Sequence, residues 1–135
     1  MNPNLEQIRA ENALNALQSG GPAHGCDKAE VSKLPALILS SGLLATTAYA
    51  VEKGGGIEKA LNALAKHLAD ERLKRLVLEP ELATRLQRER RAVAASDMLE
   101  QFCRQNSQVL IAATSEALAY LGYLKRFARE KGDAA

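Results

Sequence analysis

The sequence has no tryptophan, two phenylalanines and three tyrosines among its 135 residues. Valine, isoleucine, threonine and the aromatics together supply 18 positions, against 24 alanines and 21 leucines. Strand formers are therefore outnumbered more than two to one by the two strongest helix formers, which excludes a sandwich, a barrel or an alternating βαβ array. Two cysteines are too few for a disulfide framework, and a reducing cytoplasm is the compartment expected. No apolar run approaches the length of a membrane span, and Glu6, Arg9 and Glu11 stand where a signal peptide would need an apolar stretch. What is present is an ordinary globular composition, 47% hydrophobic and 25% charged.

The net charge of +2 is unevenly spread. Residues 1–71 hold six Lys/Arg and eight Asp/Glu, whereas residues 72–135 hold twelve and eight. A basic bias in one half is too mild for a protein that coats DNA, but it allows local contact with phosphates. A solvated, arginine-rich helix face would explain the same bias.

Glycine and proline divide the chain into helical blocks. Asn2-Pro3 reads as a helix start, followed by the apolar stripe Leu5, Ile8, Ala13, Leu17 and a stop at Gly20-Gly21-Pro22. Asp27 with Glu30 three residues later has the capping-box pattern, and Pro35 falls within the opening turns of that second helix. Ser40-Ser41-Gly42 breaks it. A third helix runs from Leu43 to Lys53 and stops at Gly54-Gly55-Gly56. The spacing of Leu61, Leu64 and Leu68 predicts a fourth from Ile57, extending through Leu73 and Leu76. Pro80 opens a fifth, the most charged, and a short apolar patch of Met98, Leu99 and Phe102 follows Asp97. In the last helix, Leu110, Thr114, Ala117, Leu121, Leu124 and Ala128 form one stripe. Val109, Ala113, Tyr120, Tyr123 and Phe127 form a second beside it, which predicts a broad buried face. The expected fold is all-α: a single compact bundle of about six helices over residues 1–135, with a long central C-terminal helix and a frayed tail at 132–135.

Residues with metal or nucleophile chemistry are sparse. His24-Gly25-Cys26-Asp27 is one cluster, and its distant partners are His67 and Cys103, each alone on an expected helix. A structural zinc site wants four ligands, usually as two close pairs, so no metal and no cofactor is expected. Cys103 beside Phe102 reads as a buried small hydrophobe. Glu116 lies between the two apolar stripes and reads as a partly buried carboxylate accepting a hydrogen bond from a tyrosine or a neighbouring helix, with no obvious acid or base partner for catalysis. Gly54-Gly55-Gly56 lacks the Lys-Ser/Thr and the preceding strand of a phosphate loop. No catalytic residue is nominated.

The basic residues say more. Arg85, Arg88 and Arg91 recur every three residues, which predicts one helical face, and Lys125, Arg126 and Arg129 cluster on the outer side of the last helix. Cations so placed follow a phosphate backbone by counterion release without reading sequence. The tyrosines lie on an apolar stripe, so base stacking is not expected.

Two blocks carry a family resemblance. Lys33-Leu34-Pro35-Ala36-Leu37-Ile38 with Ser41-Gly42-Leu43 resembles the N-terminal signature of the small subunit of the type III-B CRISPR RNA-guided effector, the Cmr complex. Glu116-Ala117-Leu118-Ala119-Tyr120-Leu121, running into Leu124-Lys125-Arg126-Phe127-Ala128, is similar to that family's C-terminal signature. The family often has tryptophan where Tyr123 stands and asparagine where Ser41 stands. Asn106-Ser107-Gln108-Val109 also replaces its polar-then-tyrosine pattern. The resemblance implies a compact helical, non-catalytic protein. It would stack with further copies of itself into a minor filament along other Cmr subunits, and line the groove that holds guide RNA and target RNA. It implies no membrane and no small-molecule substrate. Within the matched blocks Lys33, Lys125 and Arg126 are the basic positions carried over, whereas Arg85, Arg88, Arg91 and Arg129 come from spacing alone. Two other classes stay open: a helical protein–protein adaptor with no nucleic-acid role, its arginines in ion pairs such as Glu81 with Arg85, and a thiol or metal sensor built on Cys26.

Overall fold

The computed structural model describes residues 3–130, so Asn2 and the tail at 132–135 lie outside the described residues. Helix α1 (Leu5–Leu17) starts at Asn4, whose Oδ1 accepts from the Gln7 amide at 2.8 Å while Gln7 Oε1 accepts from the Asn4 amide at 2.9 Å. This reciprocal cap moves the helix start from the expected Asn2-Pro3 to Asn4. The same device opens α2 (Lys28–Ser32), where Asp27 and Glu30 form the expected capping box.

The second expected helix is two. Pro35 offers no N–H and crowds the preceding turn, so the chain breaks at Lys33 and restarts as α3 (Leu34–Ser41) with the proline in its first turn. Helix α4 (Leu43–Lys53) has the bounds its sequence predicts, because a glycine stands at each end. Gly42 has φ +93° and ψ 161°, a region that side chains avoid, and its amide donates to Ile38 O at 2.8 Å.

Helix α5 (Gly55–Leu68) ends eight residues before the expected Leu76. The Arg75 and Leu76 amides both turn back to Leu68 O, at 3.1 and 2.9 Å, through Lys74 at φ 52°. Leu73 and Leu76 are buried all the same: a compact turn meets the helical spacing of the leucines as well as a helix would. Helix α6 (Pro80–Glu89) begins at the expected proline and closes at Arg90 in the left-handed conformation. The apolar patch after it is a helix of its own, α7 (Ala95–Phe102).

Helix α8 (Ser107–Phe127) is 21 residues, about 30 Å long at 1.5 Å per residue, and is capped by Asn106 Oδ1 on the Val109 amide. It packs on α1, α2, α3 and α5, while α4 and α7 pack together behind α5. Tyr120, Leu121 and Leu124 are fully buried and meet Leu34, Leu61, Leu64 and Leu68 in one core. Leu37 sits half-buried at its edge. The architecture is all-α, and among the described residues the one β-type contact is an isolated bridge, in which the Lys28 amide donates to Arg129 O at 2.8 Å. The α2–α3 stretch runs antiparallel along α8, from that bridge at Asp27 to a cleft where Gly42 and Leu43 face Leu110 and Ile111.

Gly42→Ala should destabilise the protein by about 1–3 kcal/mol, because a Cβ meets no neighbouring atom there and the strain lies in the backbone alone. Chemical denaturation of the variant checks this, and a neutral result would contradict the geometry assigned to the α3–α4 corner.

Candidate nucleic-acid interface

The fold sorts the candidate cations into two groups. Arg85 and Arg91 converge on one carboxylate of α7. Arg91 Nη1 donates to Asp97 Oδ2 at 2.8 Å and its Nε to Glu89 Oε1 at 2.7 Å, while Arg85 Nη2 lies 3.8 Å from Asp97 Oδ1. Burial pushes Asp97 up, but Arg91 and the Ala94 amide outweigh it and hold the carboxyl below its ordinary range. The expectation of a single arginine face fails for a simple reason: α6 ends at Glu89, so Arg91 lies past the helix and turns back to α7. Arg88 stays on α6, exposed. Glu81 is not the partner of Arg85, which takes Asp97 and, at 4.0 Å, Glu100.

Lys125 and Arg126 form the second group. Both are exposed on the last turn of α8, and neither makes an ion pair with the described residues. Arg129 follows just beyond the helix, its carbonyl held by Lys28. Lys33, exposed at the α2–α3 break, lies on the stretch that runs along the final turns of α8. The basic positions of the two signature blocks, 92 residues apart, are thus brought to neighbouring elements.

The residues with metal or nucleophile chemistry are dispersed. Cys26 is buried, donates its thiol to Gly56 O at 3.1 Å, and is pushed up to about 11 by burial, so it is a protonated thiol at neutral pH. His24 Nδ1 lies 3.1 Å from Leu17 O. Cys103 is exposed rather than buried, because it falls just after α7 ends while Phe102 takes the inward position. Among the described residues no three His, Cys, Asp or Glu side chains gather to hold an ion.

Glu116 is where sequence reasoning missed most. It is 3% exposed, and Arg9 of α1 clamps it with two bonds, Nε to Oε2 at 2.7 Å and Nη2 to Oε1 at 2.8 Å. His67 of α5 lies 2.9 Å from the same Oε2 through Nε2, and 2.9 Å from Asn12 Nδ2 through Nδ1. Only the Nε2–H tautomer satisfies both contacts, with the imidazole donating to the carboxylate and accepting from the amide. The second Asn12 N–H goes to Asp70 Oδ2 at 3.0 Å. Tyr120 stacks on the imidazole with ring centroids 4.1 Å apart. Neither imidazole nitrogen is free to take a proton from a substrate. The partners lie 107 and 49 residues from Glu116, and no local pattern announces them. A cavity of about 440 Å³ lies beside this cluster, walled by Ala16, Ala63, Leu78 and Val93.

The aromatics divide as well. Tyr123 is half-buried with its hydroxyl donating to Glu6 at 2.8 Å, and Phe127 is 39% exposed at the end of α8. On the other half of the same helix Ile111 is 69% exposed beside Leu110 and Leu118, next to a cleft of about 440 Å³.

The fold and surface therefore define an all-helical protein with cations concentrated at one end of its central helix, an apolar cleft along the other, and a buried ion cluster between helices. The family model described as CRISPR-associated protein (Cas_Cmr5) matches residues 5–130, and the chain belongs to that family. This membership makes it a CRISPR-associated Cmr subunit, consistent with the small subunit of a type III-B Cmr complex. No curated protein and no solved structure matches the chain. None of the described helices is long and apolar enough to cross a membrane.

The buried cluster should make stability depend on pH. Burial holds His67 below its ordinary value against the pull of Glu116, so below about pH 6.5 the unfolded chain takes up a proton that the folded one refuses. Stability should be full above that value and fall as the pH drops towards about 5. Further loss should follow as Glu116, held below its ordinary range by Arg9 and His67 despite burial, is protonated. Thermal unfolding against pH checks this: the melting temperature of wild type should fall between about pH 7 and about pH 5, and that of His67→Gln should fall less. A flat wild-type profile would contradict the assignment.

Proposed function

We propose that this protein is a non-catalytic small subunit of a type III-B Cmr effector. In this reading it packs against other Cmr subunits and further copies of itself, and it contacts the backbones of guide and target RNA during antiviral defence. The observation that carries the RNA contact is the state of Lys125 and Arg126, exposed on the last turn of α8 and without an ion pair among the described residues. Cations not already matched by carboxylates release counterions when a phosphate arrives, whereas Arg85 and Arg91 are spoken for by Asp97. Lys33 on the adjoining stretch supports the same surface, with Arg88 and Arg129 as outer contributors.

The protein-facing side of this reading draws on the apolar cleft. Leu39 of α3 is 75% exposed and Ile111 of α8 is 69% exposed, and among the described residues no charged side chain lines the cleft beside Ile111. Such a surface suits an apolar neighbour such as a further copy of the chain. The same cleft also favours the adaptor reading, in which protein contacts are the whole of the function. RNA binding separates the two.

In the assembled complex, reversing both cations, Lys125→Glu with Arg126→Glu, should weaken target-RNA capture by about ten-fold or more at moderate salt. It should also flatten the dependence of affinity on salt by about two contacts. The effect should not depend on RNA sequence, and cleavage of bound RNA should persist. A salt titration with an assembly control measures this, and an unchanged affinity and slope would favour the adaptor.

A further inference from the structure

Gly122 is an exposed glycine inside α8, five residues before its end. Glycine in a helix interior is destabilising by roughly 0.5–1 kcal/mol relative to alanine. Nothing within the described chain explains its use. Beyond its chain neighbours and its own turn of helix backbone, a Cβ there would meet no described atom within 4 Å, and the backbone is ordinary helix rather than a positive-φ turn. The position is open on the outer face.

Its neighbours give the opening a chemistry. At 100° per residue, Lys125 and Arg126, at i+3 and i+4, stand one turn on and to either side of the line through Gly122. Two long cationic side chains therefore flank a strip of bare helix backbone. Tyr123, on one edge, is fixed by its hydroxyl bond to Glu6, so that carboxylate is engaged at the rim. Glu116, six residues back, faces the core and is neutralised by Arg9.

We propose that Gly122 is a notch in which a single RNA strand crosses α8, its sugar-phosphate backbone lying on the bare helix so that neighbouring phosphates reach Lys125 and Arg126. The inference rests on the RNA-contact reading above and adds to it a crossing point set by a missing side chain. A bulkier residue would hold the strand off the helix and lengthen both charge contacts, although it removes no charge. A phosphate backbone fits better than an apolar helix because Lys125 and Arg126 border the notch on its C-terminal side, whereas the apolar cleft ends at Leu118, one turn before Gly122.

The test uses full-length variants Gly122→Ala and Gly122→Leu in the reconstituted effector, probed with target RNA, beside the Lys125/Arg126 reversal. Gly122→Ala should raise the melting temperature of the isolated chain by a few degrees, as a helix-interior glycine replaced by alanine does. It should nonetheless weaken target capture about three-fold, and Gly122→Leu should weaken it more, in complexes that assemble normally. Gain of stability with loss of binding is an outcome that a merely structural glycine does not give. Capture unchanged in both glycine variants, while the charge reversal weakens it, would overturn the notch and leave the RNA contact standing. Failed assembly of Gly122→Leu, with normal capture by Gly122→Ala, would overturn it by giving the notch to a protein neighbour. Capture unchanged in all three would overturn the notch and the RNA contact together.

Discussion

One buried carboxylate sets the terms for the rest of the structure. Glu116 projects from the apolar face of α8 into a site where it is 3% exposed, and an unpaired charge there would be very costly. It is tolerated because Arg9 meets both oxygens and His67 donates to one of them. The bonds fix more than charge. Arg9 lies on α1 and His67 on α5, so α1, α5 and α8 are held in one register by a single group. With Arg9 opposite Glu116, the antiparallel course of α1 brings Glu6 to Tyr123 and steadies the last turns of α8. Asn12 continues the chain of bonds to Asp70, and Arg72 closes it from the surface at 2.7 Å.

A central helix so fastened is free to present different chemistry along its outer side. Its first two-thirds carry Ile111 and Leu118 beside the corner made by Gly42 and Leu43, and its last turn carries Lys125 and Arg126. The α6–α7 side is different: Asp97 takes two arginines, so much of its basic charge is matched within the chain. A Cmr subunit has protein neighbours, and the proposed RNA contact then falls at the end of α8, where the cations have no ion-pair partner among the described residues. The buried thiol of Cys26 is bonded to Gly56 O, and the imidazole of His67 is bonded through both nitrogens within the helix cluster.

Elements bounded by local chemistry were legible in the sequence, and contacts between distant segments were not. The bounds of α4 follow from Gly42 and Gly54, and the start of α6 from Pro80. The end of α5 was hidden, since Leu73 and Leu76 keep helical spacing while the chain has already turned back on Leu68. Cys103 followed Phe102 in an apolar patch, yet a helix end one residue earlier turned it to solvent. The same kind of error put Arg91 on a helix that stops at Glu89. Glu116 was visible as a misfit among apolar residues, but its partners come from other helices, and only the fold brings them to it. Lys125 and Arg126 stood out by charge. That they lack an ion pair among the described residues while Arg85 and Arg91 have one depends on where Asp97 lies.

The most direct test of this dependence is a double-mutant cycle on Arg9 and Glu116, read by chemical denaturation at neutral pH. If the carboxylate is what fastens α1 to α8, Arg9→Gln and Glu116→Gln should each cost about 3 kcal/mol, the first by stranding a buried charge and the second by leaving the guanidinium unmatched. The double variant should then cost about 4 kcal/mol rather than the roughly 6 of simple addition, a coupling energy of about 2 kcal/mol. Losses that simply add, or a Glu116→Gln variant as stable as wild type, would contradict the account.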